Sequence, residues 1–180
     1  MSIWVFGYGS LLWNPGFEVA DSVIGTLPDY ARSFCMRSIH HRGTDAAPGL
    51  VLALDQQAGK ACEGVALQVV AGQEAQTLEY LRERELISSA YVEKELSVQL
   101  VDGREVTAVV YVIDEAHEQY CGRLSLEAQA RIIARAVGGR GPNREYLWNT
   151  ADHLRALGIE DADLDWLSDR VAALSQTKDA

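Results

Sequence analysis

The sequence predicts an α+β fold: a mixed, mostly antiparallel β-barrel with flanking helices. Three observations carry that expectation. The first two-thirds consist of short β-rich runs bounded by Gly, Pro, Asp or Asn, which is how strands and their turns read. Asp102-Gly103 separates two such runs, the strongest hairpin signal in the chain. The last third changes to apolar residues at helical spacing. Regular strand–helix alternation is missing, which argues against a doubly wound parallel sheet.

The expected strands cover residues 3–6, 22–26, 32–36, 50–54 and 63–70. Leu96, Val98 and Leu100 then alternate with polar neighbours before the Asp102-Gly103 turn leads into residues 106–113. A helix over 73–86 carries Ala75, Leu78, Leu81 and Leu86 between its charges. Ser125 is expected to cap a helix running to Val137, stopped by Gly138-Gly139, and Asn143 to cap the next, ending near Gly158. Leu164, Leu167, Val171 and Leu174 mark a third. The chain is expected to form one domain over residues 1–176 with a frayed tail at 177–180. Residues 40–49 form a polar, turn-rich loop, readable as a lid or as a surface connection.

At 180 residues, with 48% hydrophobic and 23% charged, the chain has the composition of an ordinary globular protein with a real core. A net charge of −10 disfavours a nucleic-acid backbone or an anionic membrane surface as partner. Cys35, Cys62 and Cys121 are odd in number and widely spaced, which fits a reducing cytoplasm better than a disulfide framework. No signal segment is seen, and no apolar run approaches the roughly 20 residues that span a bilayer. The expectation is a cytoplasmic protein that does not insert into membranes and works as a monomer.

The most informative stretch is Trp4-Val5-Phe6-Gly7-Tyr8-Gly9-Ser10-Leu11-Leu12-Trp13. A β-type run enters a turn with two glycines around a tyrosine. Glycine lets a ligand approach the main chain closely, and successive N–H groups in such a turn can cradle an anion. A dinucleotide loop would need a third glycine where Leu12 stands and a helix opening there, yet Asn14-Pro15-Gly16 follows. A small-molecule site and a structural turn between core strands both remain open on this pattern.

The helix over 73–86 contains Glu74, Glu79, Glu83 and Glu85 among Arg82 and Arg84, mostly read as a solvated face. Glu79 and Glu83 share one side, and Glu85 lies about 200 degrees around from Glu83. Glu85 also adjoins Leu86-Ile87, where the apolar face resumes, and is the acid–base candidate. His40-His41, His117 and His153 have no metal-ligand spacing, and no metal or cofactor is expected.

Several segments together resemble the ChaC-type gamma-glutamylcyclotransferases. These are the residue 4–11 stretch, Arg42-Gly43, Pro48-Gly49, Tyr80-Leu81-Arg82-Glu83-Arg84-Glu85 and Gly141-Pro142-Asn143-Arg144-Glu145-Tyr146-Leu147. They occur in the family's order over about residues 3–170. One stretch departs: after Phe34 this chain has Cys35-Met36 where members from higher organisms tend to carry an aromatic, as bacterial members do not. The resemblance implies a curled barrel that degrades glutathione to 5-oxoproline and cysteinylglycine without a cofactor. It places the substrate loop on Val5, Phe6, Gly7, Tyr8, Gly9 and Ser10, and the catalytic glutamate on Glu85. Tyr146 and Arg42 are weaker substrate-binding candidates, the first also readable as helix packing, the second as a surface charge for an anionic end of the peptide. Tyr8 is readable as pocket wall or as a core tyrosine with one hydrogen bond. Ser10 has no His–Asp pair to activate it as a nucleophile. Other γ-glutamyl amines as substrates, or a non-catalytic role in metabolite sensing or cation-transport regulation, are the alternatives.

Overall fold

The computed structural model describes residues 3–86 and 90–176. Ile87 and the expected frayed tail at 177–180 fall outside the described residues. Five strands close into a barrel in the order β1-β3-β2-β4-β5, and helices complete an α+β architecture. The strands are β1 (Trp4–Gly7), β2 (Val19–Ser38), β3 (Gly49–Val69), β4 (Tyr91–Leu100) and β5 (Glu105–Ile113). β1 runs antiparallel to β3 and parallel to β5, so the barrel is mixed. β4 and β5 form the hairpin expected from Asp102-Gly103, with Gly103 at φ 94 where a side chain would be strained.

Two pairs of expected strands are each one long strand. β2 joins residues 22–26 to 32–36 through Pro28-Asp29, and β3 joins 50–54 to 63–70 through Gly59. Asp29 at φ 66 and Gly59 at φ 84 take left-handed conformations inside these strands, and the Asp29 carboxylate accepts from the Gly59 N–H at 3.1 Å. Turn-forming residues here let the strands continue through a local irregularity.

The backbone divides into two compact units, each drawn from two segments. The first comprises Met1–Arg32 and Ala53–Glu118, and the second Ser33–Leu52 and Gln119–Ala180. In the first, α1 (Glu74–Glu85) buries Leu81 in a cluster with Val5, Leu11, Val69, Val109 and Tyr111. Apolar burial of this kind, about 25 cal/mol per Å², holds the helix to the barrel strands.

The second unit contains α2 (Leu126–Arg135), a two-stranded ribbon β6 (Val137–Gly138) and β7 (Gly141–Pro142), α3 (Asn143–Ala156) and α4 (Ala162–Gln176). Ser125 caps α2 as expected, its hydroxyl accepting from the Ala128 N–H at 3.1 Å. Asn143 does not cap α3; Pro142 holds that position, and Asn143 is the first helical residue. Its wholly buried amide instead accepts from the Leu50 N–H and donates to the Leu50 carbonyl, both at 2.8 Å. Two hydrogen bonds to a strand outweigh one to the helix's own end.

Candidate active site

In the first unit, Glu85 ends α1, four residues after Leu81 and eight after Thr77, both buried. That spacing sets one face of a helix, so the anchoring of Leu81 turns Glu85 inward. Its side chain is 14% exposed. Burial pushes the Glu85 carboxyl above its ordinary range, opposed by the charge of Arg84.

The rest of α1's last turn is fastened on both sides. Arg82 makes a two-pronged contact with Glu93 on β4, Nε to Oε1 and Nη2 to Oε2, both at 3.0 Å. Glu93 also accepts from the Tyr111 hydroxyl at 2.8 Å. Hydrogen bonds from Arg82 hold the Glu93 carboxyl below its ordinary range. Burial, the Glu93 carboxylate and the charge of Glu85 all push the Tyr111 phenol up, so Tyr111 stays a proton donor. On the other side, Arg84 donates through Nη2 to Ser10 Oγ at 3.1 Å, while its Nε lies 3.3 Å from Glu85 Oε1.

The glycine turn is held at three points. The Tyr8 hydroxyl donates to the Tyr111 carbonyl at 2.8 Å, Arg32 Nη1 donates to the Tyr8 carbonyl at 3.2 Å, and Arg84 takes Ser10. Tyr8 is buried, with its ring 6.5 Å from that of Phe6. Val5 and Phe6 have no exposed surface, and every residue from Trp4 to Gly9 is buried. The Leu12 N–H is spent on the Gly9 carbonyl, and those of Trp13 and Asn14 on Ser10. Neither Gly7 nor Gly9 is left-handed. Close packing is tighter at Gly64, where an added Cβ would meet the Gly7 carbonyl at 2.4 Å and the Phe6 ring at 2.8 Å.

Arg42 and Tyr146 belong to the second unit, where they meet each other. The Arg42 guanidinium lies 5.8 Å from the Tyr146 ring centroid, a cation–π contact. Its Nη1 donates to the Pro142 carbonyl at 3.1 Å. Arg42 is 7% exposed, so the reading of a surface charge is corrected. Burial lowers its pKa, with Glu145 at 4.0 Å opposing. Tyr146 accepts from the Leu52 N–H at 3.2 Å and sets its ring edge-on to Phe34 at 6.0 Å. The glycines of this region allow close backbone approach: a Cβ on Gly49 would lie 2.3 Å from the Arg42 carbonyl.

Sequence reasoning missed Arg82, Arg84, Glu93 and Tyr111. Counting outward from Asp102-Gly103 as a two-residue turn sets Glu93 opposite Val112; the observed register, in which Gln99 faces Glu105, sets it opposite Tyr111 instead. For Arg84 only its place beside Glu85 pointed inward. Among the described residues, no group of three His, Cys, Asp or Glu is placed to hold a metal ion. Nor, among them, is any helix long and apolar enough to cross a membrane.

Fold and site together give a mixed barrel protein with a shielded carboxylate, Glu85, linked through Arg84 to Ser10 in the glycine turn. A family model described as ChaC-like protein matches residues 3–174, and the chain belongs to that family. It is 37% identical over 174 residues to an Escherichia coli (strain K12) protein named glutathione-specific gamma-glutamylcyclotransferase, covering 97% of this chain and 73% of that one. It is 41% identical over 157 residues to gamma-glutamylcyclotransferase 2-1 of Arabidopsis thaliana, covering 82% and 72%. The crystal structure of a yeast gamma-glutamyl cyclotransferase specific to glutathione matches with a TM-score of 0.84 at 24% identity, covering 97% of this chain and all of that one. That likeness shows the shared fold.

Proposed function

We propose that this chain is a glutathione-specific gamma-glutamylcyclotransferase, a lyase that cleaves glutathione to 5-oxoproline and L-cysteinylglycine. The names of its relatives support the substrate, and the observation that carries the chemistry is the desolvated Glu85 carboxylate. In glutathione the first residue is linked through its γ-carboxyl, so its α-amino group and the scissile amide share one molecule. Such intramolecular positioning can supply on the order of 7–11 kcal/mol of the barrier.

Glu85 takes one proton from the α-ammonium. The freed nitrogen attacks the γ-carbonyl carbon, a C–N bond closes the five-membered lactam, and the bond to the cysteine nitrogen breaks. A second proton leaves the attacking nitrogen as the lactam forms; with the one held by Glu85 it goes to the departing nitrogen, which leaves as an ammonium, so no water or cofactor is consumed. A carboxylate near pKa 4.3 is poorly matched to an amine near 8, and burial moves Glu85 in the useful direction. Backbone N–H groups at the start of the Gly7–Ser10 turn hold the substrate carboxylate or the developing oxyanion, with Val5, Phe6 and Tyr8 shaping that backbone. Arg42 and Tyr146 are proposed to bind an anionic group of the peptide, an idea their cation–π pairing supports.

The two units alternate along the chain, which supports treating residues 1–176 as one domain, and the three widely spaced cysteines support a cytoplasmic protein. A net charge of −10 supports the reading that no nucleic acid is bound. The test is incubation with glutathione and with a panel of other γ-glutamyl amides and dipeptides. Equimolar 5-oxoproline and cysteinylglycine from glutathione supports the proposal. Preferential turnover of the other amides replaces the substrate, and binding without turnover replaces the function with metabolite sensing.

A further inference from the structure

Arg84 has no part in the reaction just described, yet it touches more of the site than any other side chain named there. It is largely shielded, at 17% exposed. Nη1 donates to the Asn14 carbonyl at 2.6 Å and the Pro15 carbonyl at 3.1 Å, and lies 3.2 Å from the Tyr80 hydroxyl. Nη2 donates to Ser10 Oγ, and Nε faces Glu85 Oε1. Ser10 opens a short 3-10 helix (Ser10–Leu12), and Asn14-Pro15 lies just beyond its end. A single planar cation therefore grips both sides of that segment and the carboxylate.

We propose that Arg84 is the positioning residue of this site, fixing the glycine turn against the Glu85 carboxylate through its fork of donors. The inference rests on the cyclotransferase reading and assigns a residue that reading leaves without a role. The geometry explains why arginine suits the position. Guanidinium presents five donors in a rigid plane, whereas a lysine ammonium is a point charge with three. It also explains how a cation can sit beside a base without disabling it. A two-pronged pair with Glu85 would hold the carboxylate ionised and weaken it as a base. Here Nη1 is spent on Asn14 and Pro15 and Nη2 bonds Ser10, while Nε is the nitrogen that faces Glu85. The groups bearing electrostatically on Glu85 are Arg84 from α1 itself and the Tyr111 phenol from β5.

The experiment compares the parent with R84K and R84Q, measuring kcat and KM for glutathione across pH, per folded protein as judged by melting curves. R84K keeps the charge and loses the fork; it is expected to lose roughly tenfold to a hundredfold in kcat while the acid limb of kcat/KM stays near that of the parent. R84Q is expected to show that loss and also an acid limb moved to higher pH, because the charge that favoured ionised Glu85 is gone. A merely structural role would not move that limb. Parental kcat in R84K, or a parental acid limb in R84Q, overturns the inference while leaving the cyclotransferase reading intact. If R84Q does not fold, R84K alone decides: parental kcat overturns and a tenfold or greater loss supports. A parent that releases no 5-oxoproline overturns both.

Discussion

The hydroxyl of Tyr8 donates to the backbone carbonyl of Tyr111 at 2.8 Å, tying the middle of the glycine turn to β5. A tyrosine in this place locks the turn by its far end. Y8F keeps the ring and removes that bond. It is expected to lower stability by about 1 kcal/mol, read by denaturant unfolding. It should also raise KM more than it lowers kcat, because the loosened element is the one proposed to bind substrate and to move no proton. An unchanged KM would remove Tyr8 from the account.

Gly64 faces the turn from β3. G64A forces its new Cβ against the Gly7 carbonyl, which belongs to a paired strand. Overpacking of this kind is expected to cost about 1–3 kcal/mol and to displace Gly7. Calorimetric melting and substrate KM should both worsen. A variant with parental melting and parental KM would show that the backbone there yields freely.

In the second unit, the Asn143 amide satisfies both backbone groups of Leu50. N143A leaves a buried donor and a buried acceptor behind, and about 2–4 kcal/mol is expected to go with them. N143D is expected to fail nearly as badly, since a carboxylate cannot donate to the Leu50 carbonyl. Denaturant midpoints check both, and a loss confined to N143A would contradict the two-way pairing.

Glu85 makes a stability prediction of unusual sign. Its folded pKa is raised by burial, so the native state binds its proton more tightly than the unfolded chain, whose carboxyl titrates near 4.5. The stabilisation from that proton is full below the unfolded pKa and is lost as pH rises through the folded one. At neutral pH the parent therefore carries a buried charge that E85Q lacks. E85Q is expected to melt above the parent at pH 7–8, with the gap closing as pH falls towards 4.5. A parent that melts higher at neutral pH would contradict the dominance of burial over the Arg84 charge.

How far the sequence reveals this molecule follows from which partners lie close along the chain. The Asp102-Gly103 hairpin was readable because turn chemistry is local; its register, which sets Glu93 opposite Tyr111, is one residue off that of a two-residue turn and was not. Strand continuity was not readable, because Pro28-Asp29 and Gly59 look like turns and act as irregularities within β2 and β3. Glu85 stood out through its position on the helix. Arg84 did not, since its acceptors, Ser10 and Asn14-Pro15, lie some seventy residues away and two of them are backbone carbonyls. Asn143 looked like a cap because capping is what an asparagine before a helix offers locally; a distant strand made the better offer.

The central claim is that one shielded carboxylate carries a proton between two nitrogens of the same substrate. The direct measurement is kcat for glutathione with E85Q, which keeps the shape and removes the base. Roughly a hundredfold to ten-thousandfold loss, with KM little changed and the protein folded, is the predicted result. An E85Q protein that forms 5-oxoproline at the parental rate would contradict it.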